Sequence, residues 1–273
     1  AAIGAGLAKA AIAGKIDGQL ADLNLSVGEG SKIEIITSKS PEARGILRHS
    51  CAHIMAEAVQ ILYPGVQIAY GPATEDGFYY DFETEKAISS SDFEKIEAEM
   101  QKIIKADQPF ERKVVTKAEA KKIFADQKFK LEHIDELADD VDISIYVHGK
   151  FADLCSGPHI PHAGLIGAFK LMKVAGAYWK ADAEREQLAR LYGTAFFKKK
   201  DLQDYLTRLE EAEKRDHRKL GRDLEIYATD QMAGVGLPLY LPKGARLMRT
   251  LQEWLRRDLY KRGYEEVITP HVY

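Results

Sequence analysis

Apolar residues recur at Leu47, Cys51, Ile54, Met55, Ala58 and Leu62, a helical period that predicts a helix over Gly45–Tyr63 with one buried face. Ser40 followed by Pro41 supplies a cap and first-turn signal, and Tyr63-Pro64-Gly65 ends the helix. His49 and His53 stand four residues apart and project side by side from it. Cys51 points the other way, into the apolar face, while Glu57 and Gln60 extend the histidine stripe.

The rest of the pattern is read around this helix. An Ala-rich helical start gives way at Gly14 and Gly18. Two short strands follow around Gly18–Leu23 and Lys32–Thr37, split by Val27-Gly28-Glu29-Gly30. Residues 1–38 therefore read as the tail of a small α+β module that opens in mid-helix, as if a piece were missing before it. Beyond the histidine helix, Val66–Tyr70 and Gly77–Phe82 read as strands, with Phe78, Tyr80 and Phe82 on one face and Tyr79 and Asp81 on the other. Ser91 with Glu94 marks a helix that buries Phe93, Ile96, Met100, Ile103 and Ile104. Phe110–Val115 is a strand, and Thr116 with Glu119 caps a shorter helix. Phe129–Ile134 and Ile143–Val147 are strands, the latter turned by Gly149-Lys150 into Phe151–Cys155. Interleaved helices and tight hairpins predict an α+β fold with an antiparallel sheet.

Asp201–Asp223 differs: Leu202, Tyr205, Leu206, Leu209 and Leu220 form a narrow stripe in dense charge, as in a solvated linker helix. From Leu224 the character shifts again. Leu237–Leu241 leads into an amphipathic helix over Ala245–Arg262, and Tyr264–Pro270 carries a strand pattern, so a further domain has only begun.

Composition narrows the classes. The chain has 273 residues, 45% of them hydrophobic and 30% charged, which is ordinary for a soluble globular protein of about two domains. A net charge of −3 excludes a general polycation, so any nucleic-acid contact must use a local basic surface. No apolar run is long enough for a bilayer, and Lys9, Lys15 and Asp17 interrupt the Ala-rich start, against a signal peptide. Cys51 and Cys155 make no disulfide framework, which points to a reducing cytoplasm.

The candidate chemistry lies in two segments. Asp153–His159 (DLCSGPH) offers Cys155 and His159 at the spacing of His49 and His53. Three imidazoles and a thiol are zinc-ligand types, and four protein ligands describe a closed structural site. The same set also works without metal. A neutral imidazole can take a proton from water while a lysine and backbone N–H groups hold the oxyanion of an attacked ester. Lys130, in the predicted strand FKLEHI, is a candidate for that charge, and Asp153 is suited to orient a histidine or bind an ammonium group. Ser156 has no nucleophile-elbow context, Gly234-Val235-Gly236 lacks the rest of a dinucleotide fingerprint, and there is no Walker loop.

Arg48-His49-Ser50-Cys51-Ala52-His53, Gly77–Asp81, Asp153–His159, Phe169–Met172 with Ala175–Trp179, Leu191–Ala195 and Arg215–Gly221 together resemble the bacterial threonyl-tRNA synthetase family across essentially the whole chain. The resemblance implies a partial ubiquitin-like module at 1–38 and an editing domain at 39–197. A linker helix at 198–223 and the start of a class II catalytic domain at 224–273 complete it. In that domain Tyr264–Pro270 looks like the strand of the dimer interface. It implies that the chain hydrolyses mischarged seryl-tRNA. ATP-dependent threonylation, with magnesium and a catalytic zinc, would need parts of the enzyme outside this sequence. By matching positions, His49, His53, Lys130 and His159 would act on water and the ester, and Tyr80, Asp153 and Cys155 would shape the serine pocket or hold the terminal adenosine. Ser156 departs from the arginine that relatives often carry. In the related alanyl editing domain the same quartet, here His49, His53, Cys155 and His159, holds zinc, whereas the threonyl version is expected to work without it. The implied partners are tRNA(Thr), seryl-tRNA and a second copy of the full enzyme, with no membrane. The alternative is a tRNA-binding, dimer-supporting module whose pocket is inactive or holds a structural zinc.

Overall fold

A computed structural model describes residues 4–139, 141–234 and 236–269. The chain divides into two compact units after Asp204. The first opens with α1 (Ala5–Ala10), β1 (Ala11–Ile16), β2 (Gln19–Ala21) and β3 (Ile33–Thr37), followed by α2 (Ala43–Leu62). Next come β4 (Gln67–Ile68), β5 (Phe78–Glu83), α3 (Phe93–Ala106), β6 (Glu111–Val115), α4 (Lys117–Ile123) and α5 (Lys128–Glu136). It closes with β7 (Ile143–His148), β8 (Phe151–Leu154), β9 (Ala168–Tyr178) and β10 (Gln187–Phe196). Three antiparallel sheets result, in the orders β2-β1-β3, β4-β5-β10-β9 and β6-β7-β8. The α+β character with antiparallel sheets is as the sequence pattern implies.

The histidine helix is α2, packed against β5 and β10 on one side and α3 on another. The pattern implies one buried face, but α2 is enclosed on nearly all sides, so Arg48, Ser50 and His53 are buried along with Leu47, Cys51, Ile54 and Met55. An all-round buried helix is what two packing layers require. Leu47 and Met55 are fully excluded from solvent, and truncating such a side chain to alanine costs about 2–5 kcal/mol. Phe78, Tyr80 and Phe82 share the buried face of β5 as the alternation predicts. Asp81, on the opposite face, is buried too, held by a two-pronged ion pair to Arg190 at 2.7 Å on each arm. Ile12, Ala13 and Ile36, from β1 and β3, lie in the same core as α2.

Several elements depart from the sequence reading. The Ala-rich helix ends at Ala10, and Ala11–Ile16 is a strand between β2 and β3, because a ladder on both edges outweighs alanine's helical preference. Ser40 does not cap α2: its hydroxyl accepts the Thr37 N–H at 3.1 Å, and the N-cap residue is Glu42, with no side-chain cap. The capping box before α3 is Ser89 with Asp92, two residues ahead of the expected pair. Thr116 with Glu119 does form the box that starts α4. Lys130 lies on a helix, not a strand. Phe129, Lys130 and Ile134 are the buried residues of α5, a helical spacing that a two-residue strand period would not give.

The second unit contains most of α6 (Lys199–Lys214), then α7 (His217–Asp223), β11 (Tyr227–Thr229), β12 (Pro238–Tyr240) and α8 (Pro242–Lys261). The expected single linker helix is two, because the Asp216 carboxylate accepts the Arg218 N–H at 2.7 Å and begins a new helix. β12 pairs with β11 in a hairpin, and Pro242 sits in the first turn of α8. Residues 264–269 form no strand, having no ladder partner among the described residues. Pro270, the end of the expected motif, lies outside the described residues, as do Val235 of the discounted glycine pair and the first three residues of the Ala-rich start. Among the described residues no helix is long and apolar enough to cross a membrane.

Candidate active site

The loop after β8 brings Cys155 and His159 up to the histidine face of α2. One ligating atom from each of His49, His53, Cys155 and His159 lies within 4.8 Å of all the others. Cys155 Sγ is 3.2 Å from His49 Nε2 and 3.5 Å from His159 Nε2. The His159 ring centroid lies 4.4 Å from that of His49 and 4.3 Å from that of His53. Segments about a hundred positions apart thus converge as the paired spacings suggested.

A second layer lies beside the quartet. The Asp153 carboxylate forms a buried ion pair with Lys130, accepts the Tyr80 hydroxyl at 2.5 Å and stands 3.4 Å from His53 Nε2. Lys130 Nζ also donates to the Tyr80 hydroxyl at 3.0 Å. Asp153 is therefore already engaged by three side chains, a role that suits orienting His53 more than capturing a substrate ammonium alone. Burial, then the Asp153 charge, pushes the Tyr80 hydroxyl well above its usual range.

Ser50, between the histidines, settles one tautomer. Its hydroxyl donates to the Ile46 carbonyl at 2.9 Å and accepts the Ile160 N–H at 3.0 Å. A hydroxyl has one proton, so the 3.0 Å contact with His159 Nδ1 needs a proton on the ring. The unprotonated Nε2 then faces Cys155. Burial pushes the Cys155 thiol up to about 12, with the Asp153 carboxylate adding to it. The sulfur is thus a thiol at neutral pH, accepting the Gly157 N–H at 3.2 Å and able to donate to an imidazole.

All three imidazoles are held toward the neutral form. Burial is the main cause for each. At His53 the neighbouring charges of His49 and Lys130 add to it, and at His159 those of His53 and His49. This has a consequence for stability. Unfolded histidines take up protons below about pH 6.5, whereas these resist, so the unfolded state binds more protons there and stability falls as pH drops through that window. Each histidine that stays neutral contributes a slope of up to about 1.4 kcal/mol per pH unit. The thermal midpoint should decline steadily between about pH 7 and pH 5.5, and a midpoint flat across that range would contradict it.

The quartet opens onto a cleft of about 980 Å³. His49, His53, Lys130, Asp153 and Cys155 line it, with Tyr70 and Trp179 further along the wall. Tyr80 and His159 stand behind the wall. His159 is packed between Phe110, stacked at 4.9 Å, and Tyr146 at 4.4 Å. Sequence reasoning missed Ser50, Tyr146, Tyr70 and Trp179. Ser50 and Trp179 lie in the familiar motifs, whereas Tyr70 and Tyr146 carry no local signal.

The donor set fits a zinc ion. Tetrahedral zinc with ligand bonds of about 2.0–2.3 Å places donor atoms about 3.3–3.6 Å apart. Both Cys155 contacts fall at or near that spacing, and the 4.8 Å limit over the whole set leaves little contraction to make. Proton placement agrees at His159, which presents a bare Nε2 while Ser50 fixes its other nitrogen, whereas the Cys155 thiol would have to release its proton to bind the ion.

Residues 143–192, which hold Asp153, Cys155 and His159, match the threonyl and alanyl tRNA synthetase second additional domain. The site therefore belongs to a chain of the synthetase class that carries this domain, with His49, His53, Tyr80 and Lys130 contributed from before it. The chain is 50% identical over 274 residues, all of its length, to the threonine–tRNA ligase of Citrifermentans bemidjiense, of which it spans 43%. It is 50% identical over 279 residues to that of Rhodopirellula baltica, spanning 38%, and 46% identical over 268 residues to that of Staphylococcus aureus strain Newman, spanning 42%. The chain belongs to the threonyl-tRNA synthetase family and spans less than half the length of the relatives it matches.

Proposed function

We propose that the cleft hydrolyses the ester of mischarged seryl-tRNA(Thr). The observation that supports this reading most is the convergence of neutral histidines, a thiol and a buried lysine–carboxylate pair at the wall of one cleft. A volume of about 980 Å³ far exceeds a seryl side chain and suits an aminoacyl ester together with its terminal nucleoside. The chemical need is plain. Serine lacks one methyl of threonine, and a pocket distinguishes such a difference by only about 1–3 kcal/mol, so a second, hydrolytic sieve is required.

In this reading His49, the more exposed imidazole, takes a proton from water as the oxygen attacks the ester carbonyl carbon. Lys130, held by Asp153 and Tyr80, lowers the cost of the oxyanion. The ester C–O bond breaks, the proton passes to the departing ribose hydroxyl, and serine and free tRNA result. His53 and His159 are kept neutral by burial and oriented by Asp153 and Ser50. If zinc is present, His49, His53, Cys155 and His159 would hold it, and it would supply Lewis acidity only where one of the four ligands gave way to substrate or water. Metal analysis of protein purified without chelator decides between the two forms. Less than about a tenth of an equivalent of zinc, with full deacylation activity, is expected for the metal-free form. Stoichiometric zinc whose removal abolishes activity would overturn it.

Residues 39–197 act as the editing domain in this reading, with 1–38 a ubiquitin-like module, 198–223 the linker and 224–273 the start of a class II catalytic domain. ATP-dependent threonylation, its magnesium and zinc, and homodimerisation belong to the longer protein. The test is direct: this chain with seryl-tRNA(Thr) should release serine, and failure to do so would favour a binding module with an inactive pocket.

A further inference from the structure

The loop Cys155–Ile160 carries half of the quartet, yet it belongs to no helix or strand. Three groups hold it. Ser144 on β7 accepts the Cys155 N–H at 3.3 Å and donates to the Cys155 carbonyl at 2.6 Å. Ser50 on α2 accepts the Ile160 N–H. The third is Asp22, just after β2, more than a hundred residues away. Its Oδ1 accepts the His159 N–H at 3.0 Å, and its Oδ2 accepts the Tyr146 hydroxyl at 2.5 Å. That hydroxyl lies against Gly157: a Cβ at Gly157, whose φ is +69°, would sit 1.9 Å from it. The Tyr146 ring in turn packs on the His159 imidazole. One carboxylate thus fixes the loop backbone and the ring that flanks it.

We propose that Asp22 is a positioning residue for the site: through it the N-terminal three-stranded sheet sets the loop so that Cys155 and His159 meet His49. Asp22 does not line the cleft. It acts through His159 and Tyr146. The sheet is anchored for this task, since Ile12, Ala13 and Ile36 share the core of α2, and Lys15 pairs with Glu42 next to that helix. Both acceptors of the carboxylate are used, so shortening Asp22 frees the loop on two sides at once. Displacement of a reacting group by about an ångström costs about a hundredfold in rate. The catalytic consequence rests on the hydrolytic reading above, whereas the loop-holding role does not.

Two readouts on this chain separate the two. Asp22→Ala should lower kcat for seryl-tRNA hydrolysis about 30- to 100-fold with KM within about twofold, because orientation rather than binding is lost. Asp22→Asn, which keeps an acceptor for His159 N–H and a partner for Tyr146, should retain kcat within about threefold. Independently of activity, alkylation of Cys155 by iodoacetamide, followed by peptide mass spectrometry with the fully buried Cys51 as internal reference, should speed up at least about fivefold in Asp22→Ala and remain at the parent rate in Asp22→Asn. Tyr146→Phe removes one arm of the clamp without shortening Asp22, and should raise the alkylation rate about twofold or more even if Asp22→Ala fails to fold. An unchanged Cys155 rate in folded Asp22→Ala, or in Tyr146→Phe should the former not fold, would overturn the proposal. If the parent chain does not hydrolyse seryl-tRNA, the hydrolytic reading fails, and the alkylation comparison still decides the role of Asp22.

Discussion

His49→Ala should reduce seryl-tRNA deacylation by about 10²–10⁴-fold, the usual contribution of a positioned general base, while leaving the fold in place. The geometry explains the asymmetry. His49 is the imidazole of the quartet least removed from solvent, and among the described residues its hydrogen-bond partner is the Cys155 thiol at 3.2 Å. Truncating it therefore strands no buried charge and no buried carboxylate. His53→Ala and His159→Ala differ, because each ring fills buried space and its loss removes one of the contacts of Asp153 or Ser50, so loss of activity there mixes with loss of packing. The checks are single-turnover deacylation and chemical denaturation on the same preparation. Near-parental activity in folded His49→Ala would remove the base from the account.

Lys130→Ala should destabilise the chain by about 3–5 kcal/mol, as expected when one member of a buried ion pair is removed and the other charge remains. Lys130 and Asp153 are only 3% and 2% exposed. From the sequence alone, with Lys130 on a strand, this substitution looks like a clean probe of oxyanion stabilisation. On α5, inside a pair with Asp153 and hydrogen-bonded to Tyr80, it is a probe of folding as well. The pair Lys130→Met with Asp153→Asn separates the two roles. It removes both charges and leaves an acceptor for the Tyr80 hydroxyl, so most of the lost stability should return. Deacylation should stay at least about a hundredfold down, because no charge remains for the oxyanion. Denaturant midpoints with deacylation rates for the single and double variants complete the cycle. Activity recovering along with stability would show that Lys130 serves only the fold.

Where the sequence was informative, two periodicities agreed. The 3.6-residue period and a pair of four-residue spacings located α2 and both halves of the quartet, and the alternation of Phe78, Tyr80 and Phe82 gave the buried face of β5. The failures share a cause: local preference was overridden by distant partners. Ala11–Ile16 is a strand only because β2 and β3 flank it, and Lys130 is on a helix because Phe129 packs with Ala69, Trp179 and Leu188 while Ile134 joins the separate cluster of Phe124 and Ile145. β9 and β10 passed unread as strands, although their residues carried much of the family resemblance. Asp22 had no visible role, since a carboxylate in an exposed-looking turn gives no hint of a bond to a backbone N–H in a loop beyond residue 150. Tertiary hydrogen bonds of this kind leave no periodic trace in the chain.

The most direct measurement is a paired deacylation assay on this chain, with seryl-tRNA(Thr) and threonyl-tRNA(Thr) at equal concentration and neutral pH. The account predicts release of serine at a rate at least about tenfold above that of threonine, the discrimination that one methyl affords in a shaped pocket. Hydrolysis of neither ester, or of both at the same rate, would contradict it.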